Sequence, residues 1–255
     1  MYILIGHTYF VMSSSPNQNT HDIPRYFISG AWTYEFDPDK TFDGDFTLRD
    51  DSTLPARFMD NTFVMGRIWE SEALGGASAA ILDYGKKADE NDDTPHEFAA
   101  MFILPATDDV DSMNDVIKAL NSQSLSELLD NAWQREIHIQ LPRFKLAFGA
   151  ESLKDTLEEM GMRSAFDSMG NGNFDRMTYD SGVYLEDVIH GAVMEVTEEG
   201  TEAAAATVAR MKNRSIRRDP DELIFDRPFI VAIIHRPTGT PVFMGRVEEP
   251  DLDFD

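Results

Sequence analysis

Asp37, Asp39, Thr41 and Asp43, in "DPDKTFDGDFTL", stand at the alternate spacing with which oxygen ligands wrap a calcium ion. The loop fails the other requirements, because Phe42 occupies the sixth position, where a glycine makes the sharp turn, and Leu48 the twelfth, where a bidentate acid closes the shell. A solvated turn between strands is expected instead. The six histidines, at 7, 21, 96, 138, 190 and 235, contain no HExxH pair, no GxSxG elbow exists, and "GNGN" lacks the spacing of a dinucleotide fingerprint. Without cysteine there is no thiol catalysis, disulfide framework or cysteine-ligated zinc. No catalytic residue, metal or cofactor is therefore expected. Two features keep chemical interest. His190 lies mid-strand among Val188, Ile189, Ala192 and Val193, where an imidazole needs a hydrogen-bond partner. Arg210, Arg214, Arg217 and Arg218 cluster in "ARMKNRSIRRDP", where each is open to nicking by a protease that cuts after arginine.

The elements that would position these residues are mostly strands. "YFISGAW" and the Asp-, Gly- and Pro-punctuated run to Asn61 read as short strands and turns, followed by strands in "FVMGRIWE", "ASAAILDYG" and "EFAAMFILPA", the last ending at Pro105. Val110, Met113, Val116, Ile117 and Leu120 recur at helical spacing, and Ser124 with Glu127 has capping-box spacing. "EIHIQLPRFKLAF" alternates at period two on both sides of Pro142, which predicts a strand broken there. "SLKDTLEEMGM" is read as a short helix with Leu153, Leu157 and Met160 on one face and Gly161 as its stop. "VYLEDVIHGAVMEV" is expected to be a strand, and "PFIVAIIH", apolar on both faces, a covered strand that turns at "RPTGT" into "PVFMGRV". Many strands, few helices and no regular β-α alternation predict an α+β fold with mostly antiparallel sheets.

With 255 residues, 42% of them apolar, the chain can bury a substantial core. Its net charge of −24 opposes phosphate neutralisation and repels an anionic bilayer, so neither nucleic acid nor membrane is an expected partner. "MYILIGHTYFVM" is too short to span a bilayer and lacks the basic residues that precede a secretory apolar run.

Between two strand patterns lies "EVTEEGTEAAAATVARMKNRSIRRDP", which by propensity alone is a surface helix, alanine-rich with acids at its start and arginines at its end. It also reads at period two, with Thr201, Ala203, Ala205 and Thr207 on one face and Glu202, Ala204 and Ala206 on the other. Small side chains let a segment join an existing sheet without overpacking it.

"HGAVMEVTEEGTEAAAAT", followed by "DRPFIVAIIHRPTGTPVFMGRV", resembles the hinge and C-terminal signature of the serpins, and "LPRFKL", "SLKDTLEEMGMRSAFD" and "YFISGAW" match further family blocks in order. The resemblance covers about residues 26 to 250, leaves 1–25 unassigned, and implies that 1–255 form a single serpin-like domain, multi-sheeted and incomplete at its N-terminus. It implies a serine-protease inhibitor, not an enzyme, whose exposed reactive loop is cleaved by a target protease. The hinge, Glu199, Gly200, Thr201, Glu202, Ala203, Ala204, Ala205, Ala206 and Thr207, then inserts into the main sheet of a metastable fold. The family's spacing from Gly200 puts the reactive bond between Arg214 and Ser215. An arginine there implies a trypsin-like serine protease as partner.

His190 matches a family histidine in a structural cluster with an asparagine, and Pro24 stands at the asparagine's place. Asn213-Arg214-Ser215 is the chain's one glycosylation sequon, and a glycan there would obstruct the reactive bond, which argues against eukaryotic secretion. The compartment is left open, extracellular by resemblance and intracellular on the lack of a recognisable signal. The alternative function is a truncated, non-inhibitory relative that binds partners or self-associates by adding strands to exposed sheet edges.

Overall fold

The computed structural model describes residues 3–5, 8–10, 25–27, 30–85, 96–120, 125, 128–169, 172–174, 176, 179, 182–201 and 220–250. Their fold is α+β, with mostly antiparallel sheets and few helices. The chain forms two compact units, one of residues 1–2, 11–27 and 147–193, the other of 3–10, 28–146 and 194–255.

The second unit is built on an eight-stranded sheet. In chain order its strands are β5 (Phe42–Thr47), β6 (Thr53–Ser71), β7 (Ala77–Asp83), β8 (Phe98–Leu104), β9 (Trp133–Pro142), β13 (Asp221–Ile224), β14 (Phe229–His235) and β15 (Thr240–Val247). The spatial order is β13-β9-β6-β7-β8-β14-β15, with β5 also paired to β6. β6 pairs successively with β5, β9 and β7, and a shift of register between Ile68 and Ser71 coincides with the left-handed Glu70. This unit also holds β1 (Ile3–Ile5), paired with β2 (Thr8–Phe10), and β4 (Gly30–Ala31), paired with a short strand from the C-terminal part of the chain.

Strands β7, β8 and β14 show why continuous apolar runs become central strands. Alternate residues Phe229, Val231 and Ile233 of β14 enter one core with Phe102, Leu104 and Ala80, while Ile230, Ala232 and Ile234 enter a second with Met101, Ile103 and Ile81. The second core is covered by α1 (Val110–Ala119) through Met113 and Val116. Asp109 caps this helix by accepting a 2.8 Å bond from Ser112 N. Ser124 and Glu127 lie outside the described residues.

The expected break near Pro142 is found: β9 ends there, and β10 (Phe144–Ser152) follows after Arg143. The hairpin of β14 and β15 also forms as expected, turning through Arg236–Thr238 and the left-handed Gly239.

In the first unit, residues of β10, β11 (Ile189–Val196) and β3 (Arg25–Phe27) form a three-stranded sheet, with β11 and β3 parallel and Gly191, Ala192 and Val193 opposite Arg25, Tyr26 and Phe27. Helix α2 (Lys154–Glu159) stops at Gly161, whose φ is 105°. The expected apolar face is shallower than its spacing suggested, since Met160 is 79% exposed and α2 buries no residue. A one-turn helix α3 (Arg163–Phe166) follows, with Phe166 buried beneath the Lys154 ammonium. The strand expected from Val183 begins only at Ile189. Asp187 bends the preceding chain, accepting bonds from Val188 N and Ser152 Oγ.

Candidate functional site

β11 runs out at Val196 into a tight turn, Thr197–Gly200, closed by Thr197 N donating to Gly200 O (2.9 Å) and Gly200 N to Thr197 O (3.2 Å). The chain reverses there and starts β12 (Gly200–Thr201), which pairs antiparallel with β4, Gly200 opposite Ala31 and Thr201 opposite Gly30. Only glycine fits at position 200. Its φ is 143°, and a Cβ would sit 2.2 Å from Gly30 O and 2.8 Å from Ala31 Cα.

Each residue of this turn is tied to a distant part of the second unit. Trp32 donates from its indole Nε1 to Thr197 O (3.0 Å) and from its backbone N to Glu199 O (3.0 Å), while Phe36 N donates to Glu198 O (2.9 Å). The Trp32 ring stacks on Tyr84 at 4.5 Å between centroids. Tyr84 is buried, and its hydroxyl shares a 2.8 Å hydrogen bond with Thr201 Oγ1, whose residue is 0% exposed. Burial drives the phenol's pKa far upward, outweighing the hydrogen bond to Thr201, so Tyr84 is a neutral anchor.

Glu198 is 8% exposed, an unusual place for a carboxylate. Thr41 Oγ1 donates to its Oε1 at 2.7 Å, and the Arg143 guanidinium lies 3.6 Å from Oε2. Next to it, burial and the like charge of Glu199 push the Glu35 carboxyl above its ordinary range. The stretch that propensity reads as the acidic start of a helix is thus a hydrogen-bonded turn whose middle acid is paired. Thr41 serves this turn, not a calcium shell, and among the described residues no group of three or more His, Asp or Glu could hold a metal.

Three of the sequence-predicted site residues, Glu199, Gly200 and Thr201, come together here. Glu202, Ala203, Ala204, Ala205, Ala206 and Thr207, with Arg210, Arg214, Ser215, Arg217 and Arg218, lie outside the described residues, as do Pro24 and Asn213. His190 belongs to the other unit, half-buried on β11 just before Gly191, the residue opposite Arg25. Sequence reasoning missed Tyr84, Glu198, Arg143 and Thr41 as parts of this site. The blocks quoted for their resemblance contained Trp32 in "GAW", Arg143 in "LPRFKL" and Glu198 in the hinge block, without marking Trp32, Arg143 or Glu198 as anchors of the turn.

A model of the serpin (serine protease inhibitor) family matches residues 24–250. The chain belongs to the serpin family. This serpin is 30% identical over 226 residues to the leukocyte elastase inhibitor of Xenopus laevis, covering 88% of the present chain and 56% of that one. It is 29% identical over 224 residues to alpha-1-antitrypsin of Meriones unguiculatus, covering 88% and 50%. The chain thus spans about half the length of the curated relatives it matches.

Among solved structures it resembles human thyroxine-binding globulin (TM-score 0.72, 25% identity, 94% of this chain and 59% of that one). It also resembles the thermophilic serpin tengpin (TM-score 0.69, 25% identity, 87% and 53%). The expected family and serpin-like fold are borne out, and the turn at Gly200 lies at the head of the segment whose sequence resembles the serpin hinge.

Proposed function

We propose that this serpin inhibits a trypsin-like serine protease as a suicide substrate, presenting the Arg214–Ser215 bond. The protease serine attacks the Arg214 carbonyl, the peptide bond breaks, and the Ser215 amine leaves as a new N-terminus. If residues 202–207 join the sheet before water reaches the acyl bond, the protease stays covalently attached.

The β12–β4 pairing carries this reading. Gly200 and Thr201 already pair in extended conformation with Ala31 and Gly30, so the head of the proposed inserting segment has strand geometry. Small side chains at 203–207 would let that ladder advance without overpacking. Incubation with trypsin tests the proposal. A covalent complex that survives SDS, and disappears in Arg214→Ala, is the expected result. Clean nicking after Arg214 with undiminished trypsin activity refutes it.

One observation favours a second reading, self-association. Among the described residues β3 is a three-residue edge strand of its sheet, a place where a strand of another copy could pair. Concentration-dependent oligomers dispersed by a peptide of sequence 200–207 would support it, and a monomer at all concentrations would exclude it.

A further inference from the structure

His138 projects from β9 on the face opposite the buried Ile137 and Ile139, between carboxylates of the two neighbouring strands. Its Nε2 is 2.8 Å from Asp60 Oδ2 on β6, and its Nδ1 is 3.4 Å from Glu222 Oε1 on β13. Gln140 Nε2 donates to the same Asp60 oxygen at 2.9 Å, which fixes that side of the arrangement. Asp60 and Glu222 are the charges acting on the ring. Glu136 and Gln140 share its face on β9.

A neutral imidazole has one N–H and one lone pair, so between two carboxylates it can satisfy only one of them. The imidazolium satisfies both. The carboxylates address opposite edges of the ring, so no single metal ion can be shared by all three side chains. A proton is the ligand that completes the cluster.

Among the described residues β13 is an end strand of the sheet, only Asp221–Ile224, and it follows residues 202–219 after Pro220. Glu222 is its polar tie to His138. We propose that protonated His138 is a clasp holding β13 to β9, and that loss of the proton opens the clasp on its Glu222 side. Partial burial pulls the ring's pKa down, but the hydrogen bonds and charges of Asp60 and Glu222 outweigh it, and the net direction is upward. Because the folded value is raised, the clasp is fully made below the ordinary histidine pKa of about 6.5 and is lost as pH rises through the raised value. The proposal goes beyond the inhibitory reading and is measured on the strand itself, so it stands or falls whether or not the chain traps a protease.

The test is amide hydrogen exchange of the full chain, followed by mass spectrometry on peptides covering residues 220–226 and expressed as protection to remove intrinsic pH effects. The wild-type chain should lose protection there by roughly threefold or more between pH 6 and pH 8.5, with no matching change in β14. Glu222→Gln should flatten the dependence, because an amide offers either an oxygen or an N–H and suits both states of the ring. Its side chain is 66% exposed, so the fold tolerates the change. The His138 ring titration followed by NMR should move down in that variant. Equal loss of protection in wild type and Glu222→Gln, or none in the wild type, overturns the proposal.

Discussion

Gly200→Ala places the stress where β4 comes closest to the turn. Two costs add there. An alanine must hold a φ of 143°, which L-residues rarely adopt, at about 1–3 kcal/mol. Its Cβ must also displace backbone, since Gly30 O would be 2.2 Å away and Ala31 Cα 2.8 Å, a collision of the overpacking kind worth a further ~1–3 kcal/mol. The chain can escape by unpairing β12 from β4, but that forfeits the Tyr84–Thr201 bond and exposes a buried threonine, so the relief is small. The expected loss is about 2–6 kcal/mol, a fall in melting temperature of roughly 5–20 °C for a chain of this length.

Gly161→Ala separates the two costs. Its φ is 105°, yet nothing lies within 4 Å of the added carbon, so only conformational strain applies. Urea unfolding of both variants beside the wild type should rank Gly200→Ala clearly below Gly161→Ala. Equal losses, or a Gly200→Ala loss under about 0.5 kcal/mol, would refute the claim that β4 closes on Gly200.

Three further outcomes follow from the same anchors. Tyr84→Phe should cost about 1–2 kcal/mol by leaving Thr201 Oγ1 buried without its partner, and Tyr84→Phe with Thr201→Val should recover most of it, as a double-mutant cycle in urea would show. Arg143→Ala should destabilise by about 1–3 kcal/mol because Glu198 keeps only the Thr41 bond, and adding Glu198→Gln should relieve part of the loss. The Asp109 carboxyl is held below its ordinary range, first by Thr107 Oγ1 and then by Ser112 N. The ionic part of its cap therefore contributes above the unfolded value near 3.9 and fades as pH falls through the lowered folded value, so thermal unfolding should show the deficit of Asp109→Ala against the wild type at pH 7 narrowing as the pH is lowered.

The elements legible in the sequence are those whose signal is local. β14 could be read from "PFIVAIIH" because both of its faces enter a core, and β8 ended at Leu104 because Pro105 follows. α1 declared itself through the helical spacing of Val110, Met113 and Val116, and the structure adds the Asp109 cap. The anchors of the Thr197–Gly200 turn had no such signal. Glu198 sits among acids that look solvated, yet its partners Thr41 and Arg143 come from other parts of the chain, and Tyr84 is 117 residues from Thr201. Period and propensity describe neighbours along the chain, and burial of a carboxylate is decided by neighbours in space. Met160 failed for the converse reason, since helical spacing marks a face but does not supply an element to cover it.

The anchors also bear on why insertion would run downhill. A loop that is cut and then moves needs one end that stays, and Trp32, Tyr84, Thr41 and Arg143 hold residues 197–201 whatever happens beyond them. Past that point the direction is already reversed relative to β11, because Thr197 and Gly200 face each other as an antiparallel bridge. A strand continuing from there between β11 and β3, which run parallel to one another, is antiparallel to both. One slanted parallel ladder would give way to two antiparallel ones, each the better hydrogen-bonded arrangement per residue. The opposing term is the order imposed on residues 202–207, about 1–2 kcal/mol of backbone entropy per residue. Alanines lose no side-chain freedom, so the four from Ala203 to Ala206 keep that term near its minimum. Replacing Ala203 and Ala205 with arginine should therefore leave cleavage after Arg214 intact while abolishing the SDS-stable complex. A complex formed at the wild-type yield would show that the segment does not move into a sheet.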